Sequence, residues 1–379
     1  MTFWPTELDL QTAAALLLAI ASLCGLFFYY LFFFLRPGIQ KRMTPADRMD
    51  WPAVSVVICA HNEEQNIIAN LPRILEQDYP QFEVVVVNDD SWDQTGDELL
   101  NFQQVYSHLK VVTVEEHVQR RPGKKFPLTL GIKKASHELL IFTDADCVPE
   151  SNQWLRHMAA GFQSGKEVVL GMSPAKPAKG LVNALVRFET LLTAMFYSGF
   201  ALAGFPYMGV GRNLGYTRSA YDVVGGFKKH YHIMSGDDDL LVRDIARKKN
   251  TAVIVHPDAL MWTSGPDSWL RWWRQKRRHY STATHYRWGS RLMLGLYPLF
   301  LTTWLVAVIY LFTCENTQYI ASVLLATKVM TQLVIFRLSF RVLKDKYIWA
   351  WSPLLEVVLL ANQFALLVAA LFSKQKKWK

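Results

Sequence analysis

The chain has 379 residues, of which 51% are hydrophobic and only 19% are charged, an unusual balance for a wholly soluble protein. The apolar residues gather in runs near the two ends, and most charges lie between them. The net charge of +9 does not indicate nucleic acid, because Lys and Arg cluster beside the apolar runs without any nucleic-acid-binding motif, so membrane lipids are the expected partners.

The first predicted element is a membrane-spanning helix within residues 1–45. Residues 10–35 carry no charge and can cross a hydrocarbon core of about 30 Å as a tilted helix. Three basic residues, at positions 36, 41 and 42, follow this run, whereas only two acids precede it. This asymmetry predicts an N-terminus outside and a middle domain in the cytosol, an arrangement that fits a bacterial inner membrane.

Residues 46–290 are predicted to form a globular cytosolic domain. They contain nearly continuous apolar runs at 53–60, 82–87, 109–114 and 138–142, separated by helical patterns. Such runs are typical of strands buried on both faces, and their alternation with helices predicts an α/β fold with a mainly parallel sheet. Ligands of these sheets bind outside the carboxyl ends of the strands, where this sequence places polar and acidic clusters.

Asp144 and Asp146 stand at the end of one of these strands. Two carboxylates spaced in this way can turn toward one hard cation, and Mg²⁺ or Mn²⁺ is commonly bound by one or two carboxylates together with ligand phosphates. The alternative is a strand-end turn whose acids are only solvated. The pair is therefore a candidate metal site.

A long apolar stretch lies between the acidic motifs. Residues 190–211 are uncharged but contain Pro206 and several glycines, which weaken a helix without forbidding it. A single crossing here would place the acidic motifs on opposite sides of the bilayer. We therefore predict that residues 181–205 form a helix lying on the membrane face, with one apolar side in the lipid.

Asp237, Asp238 and Asp239 form the densest acidic cluster, directly before a helical pattern. Acids at the start of a helix cap its N-terminus and interact favourably with its dipole, which is one interpretation of the cluster. Three adjacent acids exceed what capping needs. At least one is therefore predicted to be functional, as a general base toward an acceptor hydroxyl.

A Trp- and Arg-rich segment at 269–288 follows and contains Gln275, Arg278 and His279. Aromatic and basic side chains at this density are typical of an interfacial helix. Arg278 and its neighbours can alternatively clamp a diphosphate leaving group. The residues alone leave both interpretations open.

The C-terminal segment, 291–379, is predicted to contain membrane helices in three apolar runs, at 292–312, 319–336 and 347–373. Lys328 and Glu356 fall inside the second and third runs, which suggests that they pair in the interior of a helix bundle. Four full spans would place the basic tail at 374–379 outside, against the charge rule. Three spans with one re-entrant or interfacial run are therefore the alternative.

The order and spacing of these features resemble the family 2 glycosyltransferases, whose GT-A fold is a nucleotide-diphospho-sugar transferase domain. Residues 56–63 (VVICAHNE) resemble the family's first strand and Asn-Glu turn, and residues 88–95 (NDDSWDQT) resemble its Asp-Asp-Gly-Ser motif. Gly123 and Lys124 resemble the segment that approaches the nucleotide. The resemblance implies that the nucleotide-sugar donor is bound by Ala60, Asn62, Glu63, Asp89, Lys124 and Asp144.

The acidic motifs continue the resemblance. Residues 143–146 match the family's metal-binding motif, which implies Mg²⁺ or Mn²⁺ at Asp144 and Asp146. Residues 235–240 (SGDDDL) match its Thr-Glu-Asp-x-Asp-Leu pattern, with Gly236 in place of Glu. This match implies that the catalytic residue is the first or, with the register shifted by one, the second of two acids: Asp237 and Asp238.

The acceptor side of the resemblance lies further along the chain. Residues 211–213, 216–218 and 225–227 resemble the family's acceptor-side segment. Residues 275–279 (QKRRH) resemble the Gln-x-x-Arg-Trp motif of membrane-embedded polysaccharide synthases, with His in place of Trp. The match implies contacts to the acceptor or the diphosphate from Asp239, Gln275, Arg278 and His279.

The resemblance implies an inverting hexosyltransferase that moves a sugar from a nucleotide-diphosphate donor to a lipid-linked or membrane-proximal glycan acceptor. A processive polysaccharide synthase is one alternative, although three or four spans are few for a secretion channel. A nucleotide-binding membrane subunit without activity is the other, and the intact acidic motifs argue against it.

Overall fold

The computed structural model describes residues 9–42, 51–115 and 123–372, so the basic tail at 374–379 lies outside the described residues. The described residues contain nine strands: β1 (Val54–Ala60), β2 (Phe82–Asp89), β3 (Leu109–Val114), β4 (Leu139–Asp144), β5 (Cys147–Pro149), β6 (Val168–Leu170), β7 (Leu214–Thr217), β8 (Thr251–Val253) and β9 (Met261–Thr263). They also contain thirteen α-helices: α1 (Leu10–Phe28), α2 (Leu35–Ile39), α3 (Glu64–Leu75), α4 (Thr95–Val105), α5 (Lys125–Lys134), α6 (Trp154–Ala160), α7 (Leu181–Leu202), α8 (Arg218–Val223), α9 (Asp239–Ile245), α10 (Trp269–Ala283), α11 (Trp288–Thr313), α12 (Gln318–Val342) and α13 (Ile348–Phe372).

The catalytic domain is built on a seven-stranded sheet in the order β3-β2-β1-β4-β7-β6-β8. β7 is antiparallel to both of its neighbours, and the other pairs are parallel. Helices cover both faces, because Ile67 of α3 packs in one core with Val56, while Ile132 of α5 packs in another with Val57. The predicted α/β fold with a mainly parallel sheet is therefore confirmed.

The register of the sheet brings the polar ends of three central strands together. Ala60 lies opposite Asn88, and Cys59 lies opposite Asp144. The turns that follow β1, β2 and β4 therefore open at one edge of the sheet. β5 follows β4 along the chain and pairs with β9 in a separate two-stranded ribbon, in which Cys147 lies opposite Thr263.

Four helical segments of the described chain are long and apolar enough to cross a membrane: Leu10–Ile39, Trp288–Thr313, Gln318–Val342 and Ile348–Ala369. The first runs from α1 through a π-helical turn, Tyr29–Phe34, into α2. Thr12 contacts Cys314 near one end of α1, and the Tyr29 hydroxyl donates to the carbonyl of Met293 near the other. The first two segments are therefore antiparallel neighbours.

Lys328 and Glu356 pair inside this bundle, as predicted. Their Nζ and Oε2 atoms are 2.5 Å apart, and both residues are 2% exposed. Glu356 also accepts hydrogen bonds from Gln332 and from the hydroxyl of Tyr297. Both charges are buried in protein, so the pair and these hydrogen bonds stabilise them in place of solvent.

The helix predicted over residues 181–205 is present as α7 but ends at Leu202, and the expectation that its apolar side dips into lipid is wrong. Twelve residues of α7 are buried in protein. Phe200 stacks on Phe33 with ring centres 4.0 Å apart, and a Cβ on Gly199 would lie 2.4 Å from the carbonyl oxygen of Phe33. Because its apolar side packs against the first membrane segment, α7 joins the membrane helices to the catalytic domain.

Candidate functional site

The turn after β1 is locked to the turn after β2. The N–H of Glu63 donates to Thr95 Oγ1 at 2.9 Å, and the N–H of Trp92 donates to Asn62 Oδ1, also at 2.9 Å. Asn62 has a left-handed φ of 56°, which Asn tolerates better than most residues. Asn62 therefore shapes the turn, and the predicted donor-binding residues Ala60, Asn62 and Glu63 lie beside the second motif.

Asp89 ends β2 next to this turn and is buried. His61 Nδ1 lies 2.5 Å from the Asp89 carbonyl oxygen, which links the two turns a third time. The N–H of Asp90 donates to the carbonyl of Val114 at the end of β3. The predicted nucleotide-binding Asp89 is thus held rigidly at the edge of the sheet.

Lys124 pairs with Asp144 across the same edge, with Nζ and Oδ1 2.8 Å apart. Gly123 precedes Lys124 and has a φ of 123°, a conformation that favours glycine. A Cβ at this position would also lie 2.7 Å from the Met234 carbonyl oxygen, so only glycine fits before Lys124. Burial disfavours both charges, but their mutual attraction outweighs it. The pKa of Asp144 is accordingly lowered and that of Lys124 raised from the ordinary values.

Asp144, Asp146 and Cys147 place possible metal-ligand atoms within 4.8 Å of one another. Burial raises the pKa of the Cys147 thiol well above its usual range, so the thiol stays protonated near neutral pH. Two carboxylates remain as ligands, and an oxygen donor set fits Mg²⁺ or Mn²⁺ rather than a soft metal. Asp144 already binds one positive group, the ammonium of Lys124, which fits a site that attracts a cation.

A single cavity brings the two acidic motifs together, although more than 90 residues separate them in the sequence. We call it the central cavity, and it is lined by Cys59, Lys124, Leu128, Phe142, Thr143, Asp144, Gly211, Leu214, Tyr216, Asp237 and Asp238. Its polar wall therefore combines a candidate metal ligand, a cation and two candidate bases.

The two candidate bases have different surroundings. Asp238 accepts the N–H of Gly211 at 2.8 Å with one oxygen and the N–H of Asp239 at 2.7 Å with the other. Within the described residues, the carboxylate of Asp237 accepts no hydrogen bond from another residue. Burial and the neighbouring Asp238 raise the pKa of Asp237 to about 6. Asp237 is thus the acid whose oxygens remain available to a ligand.

Asp239 lies behind the cavity rather than in it. It is buried, and its carboxylate accepts hydrogen bonds from Thr282 Oγ1 at 2.5 Å and from the Tyr286 hydroxyl at 2.6 Å. These bonds tie the start of α9 to the end of α10. The geometry favours a positioning role for Asp239 over the direct contact that the resemblance implies.

Gln275, Arg278 and His279 lie on α10. This helix is anchored by Glu189 of α7, which pairs with Lys276 at 2.5 Å and accepts the indole N–H of Trp272 at 2.8 Å. Arg278 lies within electrostatic reach of Asp144, whose pKa it helps to lower. The basic helix therefore faces the candidate metal site.

Arg212 is a site residue that the sequence analysis placed in the acceptor-side segment 211–213 without giving it a role of its own. Its neighbours are fixed, because the N–H of Gly211 is bound by Asp238 and the side chain of Asn213 is bound inside the core by Trp154. Arg212 helps to lower the pKa of Asp144, and its Nε is buried without a hydrogen-bond partner in the described chain. A guanidinium group held in this way is suited to an anionic ligand. A lone basic residue between Gly and Asn carries no sequence signal of this role.

Two family models match the chain. Residues 55–225 match Glycosyl transferase family 2, and residues 141–371, more than half of the chain, match Glycosyl transferase family group 2. The probable glycosyltransferase YdaM of Bacillus subtilis is 27% identical over 68% of this chain and 63% of its own length. The poly-β-1,6-N-acetyl-D-glucosamine synthase of Staphylococcus epidermidis is 25% identical over 66% of this chain and 59% of its own length. The chain thus spans about six tenths of the length of these relatives.

A solved structure shares the whole architecture. The mannosyltransferase PcManGT from Pyrobaculum calidifontis, in complex with GDP-Man and Mn²⁺, has a TM-score of 0.60 with this chain. The match covers 95% of this chain and 100% of that one at 21% identity, so it shows the fold alone. With the family models, it confirms the predicted GT-A fold.

Proposed function

This chain belongs to the family 2 glycosyltransferases, and we propose that it is an inverting enzyme that transfers a sugar from a nucleotide-diphosphate donor to a lipid-linked or membrane-proximal glycan acceptor. The central cavity is the observation that carries this proposal. The cavity contains the Lys124 ammonium, which is suited to a diphosphate, and Asp144, a candidate ligand of the cation that would bind the same diphosphate. It also contains Asp237, whose free carboxylate is suited to a hydroxyl group.

The donor side of the reaction depends on charge. Lys124, Arg212 and Arg278 hold the diphosphate through charge-assisted hydrogen bonds, which strengthen as negative charge grows on the leaving group. Asp144 and Asp146 would hold Mg²⁺ or Mn²⁺, and the bound cation would neutralise more of that charge. The interlocked turns at Asn62 and Asp89 position the nucleotide at the edge of the sheet.

The acceptor side depends on Asp237. Its carboxylate takes the proton from the acceptor hydroxyl as the oxygen attacks the anomeric carbon. Attack on the face opposite the departing diphosphate inverts the configuration of the sugar. A pKa of about 6 keeps Asp237 mostly ionised at neutral pH while leaving it more basic than an ordinary carboxylate.

The membrane helices confine the enzyme to the surface where the acceptor resides. In the proposed topology the catalytic domain is cytosolic and the enzyme lies in a bacterial inner membrane. Confinement raises the effective concentration of a lipid-linked acceptor without any additional contact.

A processive polysaccharide synthase is the second candidate, since one relative bears the name of such an enzyme. Product length separates the two functions. A single addition gives one product of fixed mass, whereas a synthase gives a ladder or a long polymer from the same donor.

The proposed function is tested with the full chain in detergent and native lipid, a panel of nucleotide sugars, and Mn²⁺ or Mg²⁺. Release of a nucleotide diphosphate from one donor, coupled to glycosylation of lipid, is the expected result. Donor binding without release from any donor in the presence of native lipid would favour the non-catalytic subunit.

Asp144→Asn is expected to remove the metal dependence of donor binding. The substitution keeps the size of the side chain but removes the charge that attracts both Lys124 and a cation. Donor affinity measured calorimetrically with Mn²⁺ should fall at least about tenfold, while affinity in EDTA should change little. The exposed Asp222→Asn is the matched control. Retention of a normal Mn²⁺ effect in Asp144→Asn would contradict the assignment.

Arg212→Ala is expected to lower kcat/KM for the donor by about 10- to 100-fold, the effect of losing a charge-assisted hydrogen bond. Arg212→Lys should recover only part of this loss, because an ammonium group cannot contact a phosphate with two N–H groups. Steady-state release of nucleotide diphosphate is the measurement. Arg156→Ala, which breaks a pair with Asp78 elsewhere on the domain, is the control. A change below about twofold in Arg212→Ala would exclude the role.

A further inference from the structure

A second concave region, the outer cleft, lies between α3 and the ribbon of β5 and β9. Its walls include Asn70, Arg73, Glu150, Lys176 and Trp262. None of these residues lines the central cavity. The outer cleft is therefore a separate site on the catalytic domain.

Exposed Arg73 and half-buried Lys176 give the outer cleft two positive charges. Neither side chain forms an ion pair or hydrogen bond with any residue in 9–42, 51–115 or 123–372. Glu150, the carboxylate of the cleft wall, is already engaged, since one oxygen pairs with Lys344 at 2.6 Å and the other accepts the indole N–H of Trp262. Cations that no protein group neutralises favour an anionic ligand, and Arg in particular suits phosphate.

The outer cleft lies next to the membrane helices. Lys344, which pairs with Glu150, belongs to the turn between α12 and α13. At the same end of these helices, the guanidinium carbon of Arg337 lies 5.2 Å from the ring centre of Trp349. Neighbouring Arg and Trp side chains are typical of the membrane–water interface. The wall of the outer cleft is therefore joined to the end of these two helices that carries the interfacial side chains.

The wall of the outer cleft is also connected to the candidate metal site. The amide nitrogen of Asn70 donates to the carbonyl of Ala145, between the two candidate metal ligands, at 3.1 Å. Thr263, next to Trp262, donates to Asp146 Oδ2 at 3.4 Å. The wall of the outer cleft is thus hydrogen-bonded to the segment that carries the candidate metal ligands.

We propose that the outer cleft binds the phosphate headgroup of the membrane lipid that carries the acceptor. Arg73 and Lys176 bind the phosphate, and Trp262 forms an apolar wall beside it. This inference rests on the proposed function for its choice of lipid. The chemistry that it assigns to the cleft, recognition of an anionic headgroup on an alkyl chain, is testable without catalysis.

The test uses the full chain in nanodiscs of neutral phosphatidylcholine and the probe dodecyl phosphate, with dodecyl glucoside and inorganic phosphate as comparison ligands. We expect dodecyl phosphate to bind at least about tenfold more tightly than either comparison ligand. Arg73→Ala/Lys176→Ala should weaken its binding at least about tenfold. The control Lys133→Ala/Lys179→Ala removes the same number of exposed charges outside the cleft. Retained binding of the nucleotide diphosphate shows that each double variant is folded.

Other outcomes overturn the inference in distinguishable ways. Equal binding of dodecyl glucoside would indicate a sugar subsite, and equal binding of inorganic phosphate would indicate a site for free anions. Competition by phosphatidylglycerol in the nanodisc at equal affinity would indicate bulk lipid rather than the acceptor carrier. Equal losses in the two double variants would indicate general surface charge. Because binding is measured without donor, normal probe binding in an enzyme that transfers no sugar would count against the proposed function alone.

Discussion

Asp237→Asn is expected to lower kcat by about 10²- to 10⁴-fold, the usual contribution of a general base, while donor affinity changes less than about threefold. The amide keeps the shape of the carboxylate but cannot take a proton. Asp237 lines the central cavity and accepts no hydrogen bond from another described residue, so the substitution breaks no structural contact there. Single-turnover transfer and calorimetric donor binding are the measurements.

Asp238→Asn is the matched control for this prediction. Both oxygens of Asp238 accept backbone N–H groups, and an amide can replace only one of these bonds. We expect a loss in kcat of at most about tenfold, the effect of one hydrogen bond, with a change in donor KM as Gly211 shifts. A larger loss of kcat in Asp238→Asn than in Asp237→Asn would assign the general-base role to Asp238 instead of Asp237.

The pH profile tests whether a buried acid of the central cavity acts as the base. Because the pKa of Asp238 is also raised to about 6, the two Asn variants, and not the pH profile, decide between Asp237 and Asp238. The raised pKa of Asp237 means that the carboxylate is protonated, and inactive as a base, below about pH 6. Transfer should therefore fall as the pH decreases through about 6, or through a somewhat lower value when a divalent cation is bound nearby. A rate that stays constant down to pH 4.5 would contradict this role of Asp237.

Glu356→Ala is expected to lower the free energy of unfolding by about 3–5 kcal/mol and Tm by at least about 5 °C, because it leaves the ammonium of Lys328 buried without its counter-charge. Glu356 also accepts hydrogen bonds from Gln332 and Tyr297, and these donors lose their acceptor. Thermal unfolding of the full chain in detergent is the measurement.

The double variant Lys328→Met/Glu356→Leu separates the buried charge from the packing. Replacing both charges by apolar side chains of similar size should restore Tm to within a few degrees of the original value, since no uncompensated charge remains. Thr327→Val, on the exposed side of α12, is the control and should leave Tm nearly unchanged. If the double variant were as unstable as Glu356→Ala, packing and the hydrogen bonds lost by Gln332 and Tyr297, rather than the unpaired charge, would explain the loss.

Local patterns in the sequence were sufficient to predict the sheet and the edge of it at which the candidate site lies. The apolar runs of β1, β2 and β4 are buried on both faces as their composition indicated. Parallel strands end at one edge, so the strand assignment placed Asp89 and Asp144 at the same edge of the sheet, whereas the position of β1 between their strands came from the structure. The pairing of Lys328 with Glu356 was predictable for a similar reason, since a charge at bilayer depth requires a partner.

Only the tertiary structure decided how the remaining side chains are used. The apolar side of α7 indicated burial, but lipid and protein interior are equally apolar, so the sequence could not show that Phe33 and its neighbours bury it. The three adjacent acids look alike in the sequence. They differ because Gly211 binds Asp238 from 27 residues away and Thr282 binds Asp239 from 43 residues away. Asp237 is left as the acid of the cavity whose carboxylate accepts no hydrogen bond from another described residue. Contacts over such separations depend on how whole elements pack, and no local pattern records that packing.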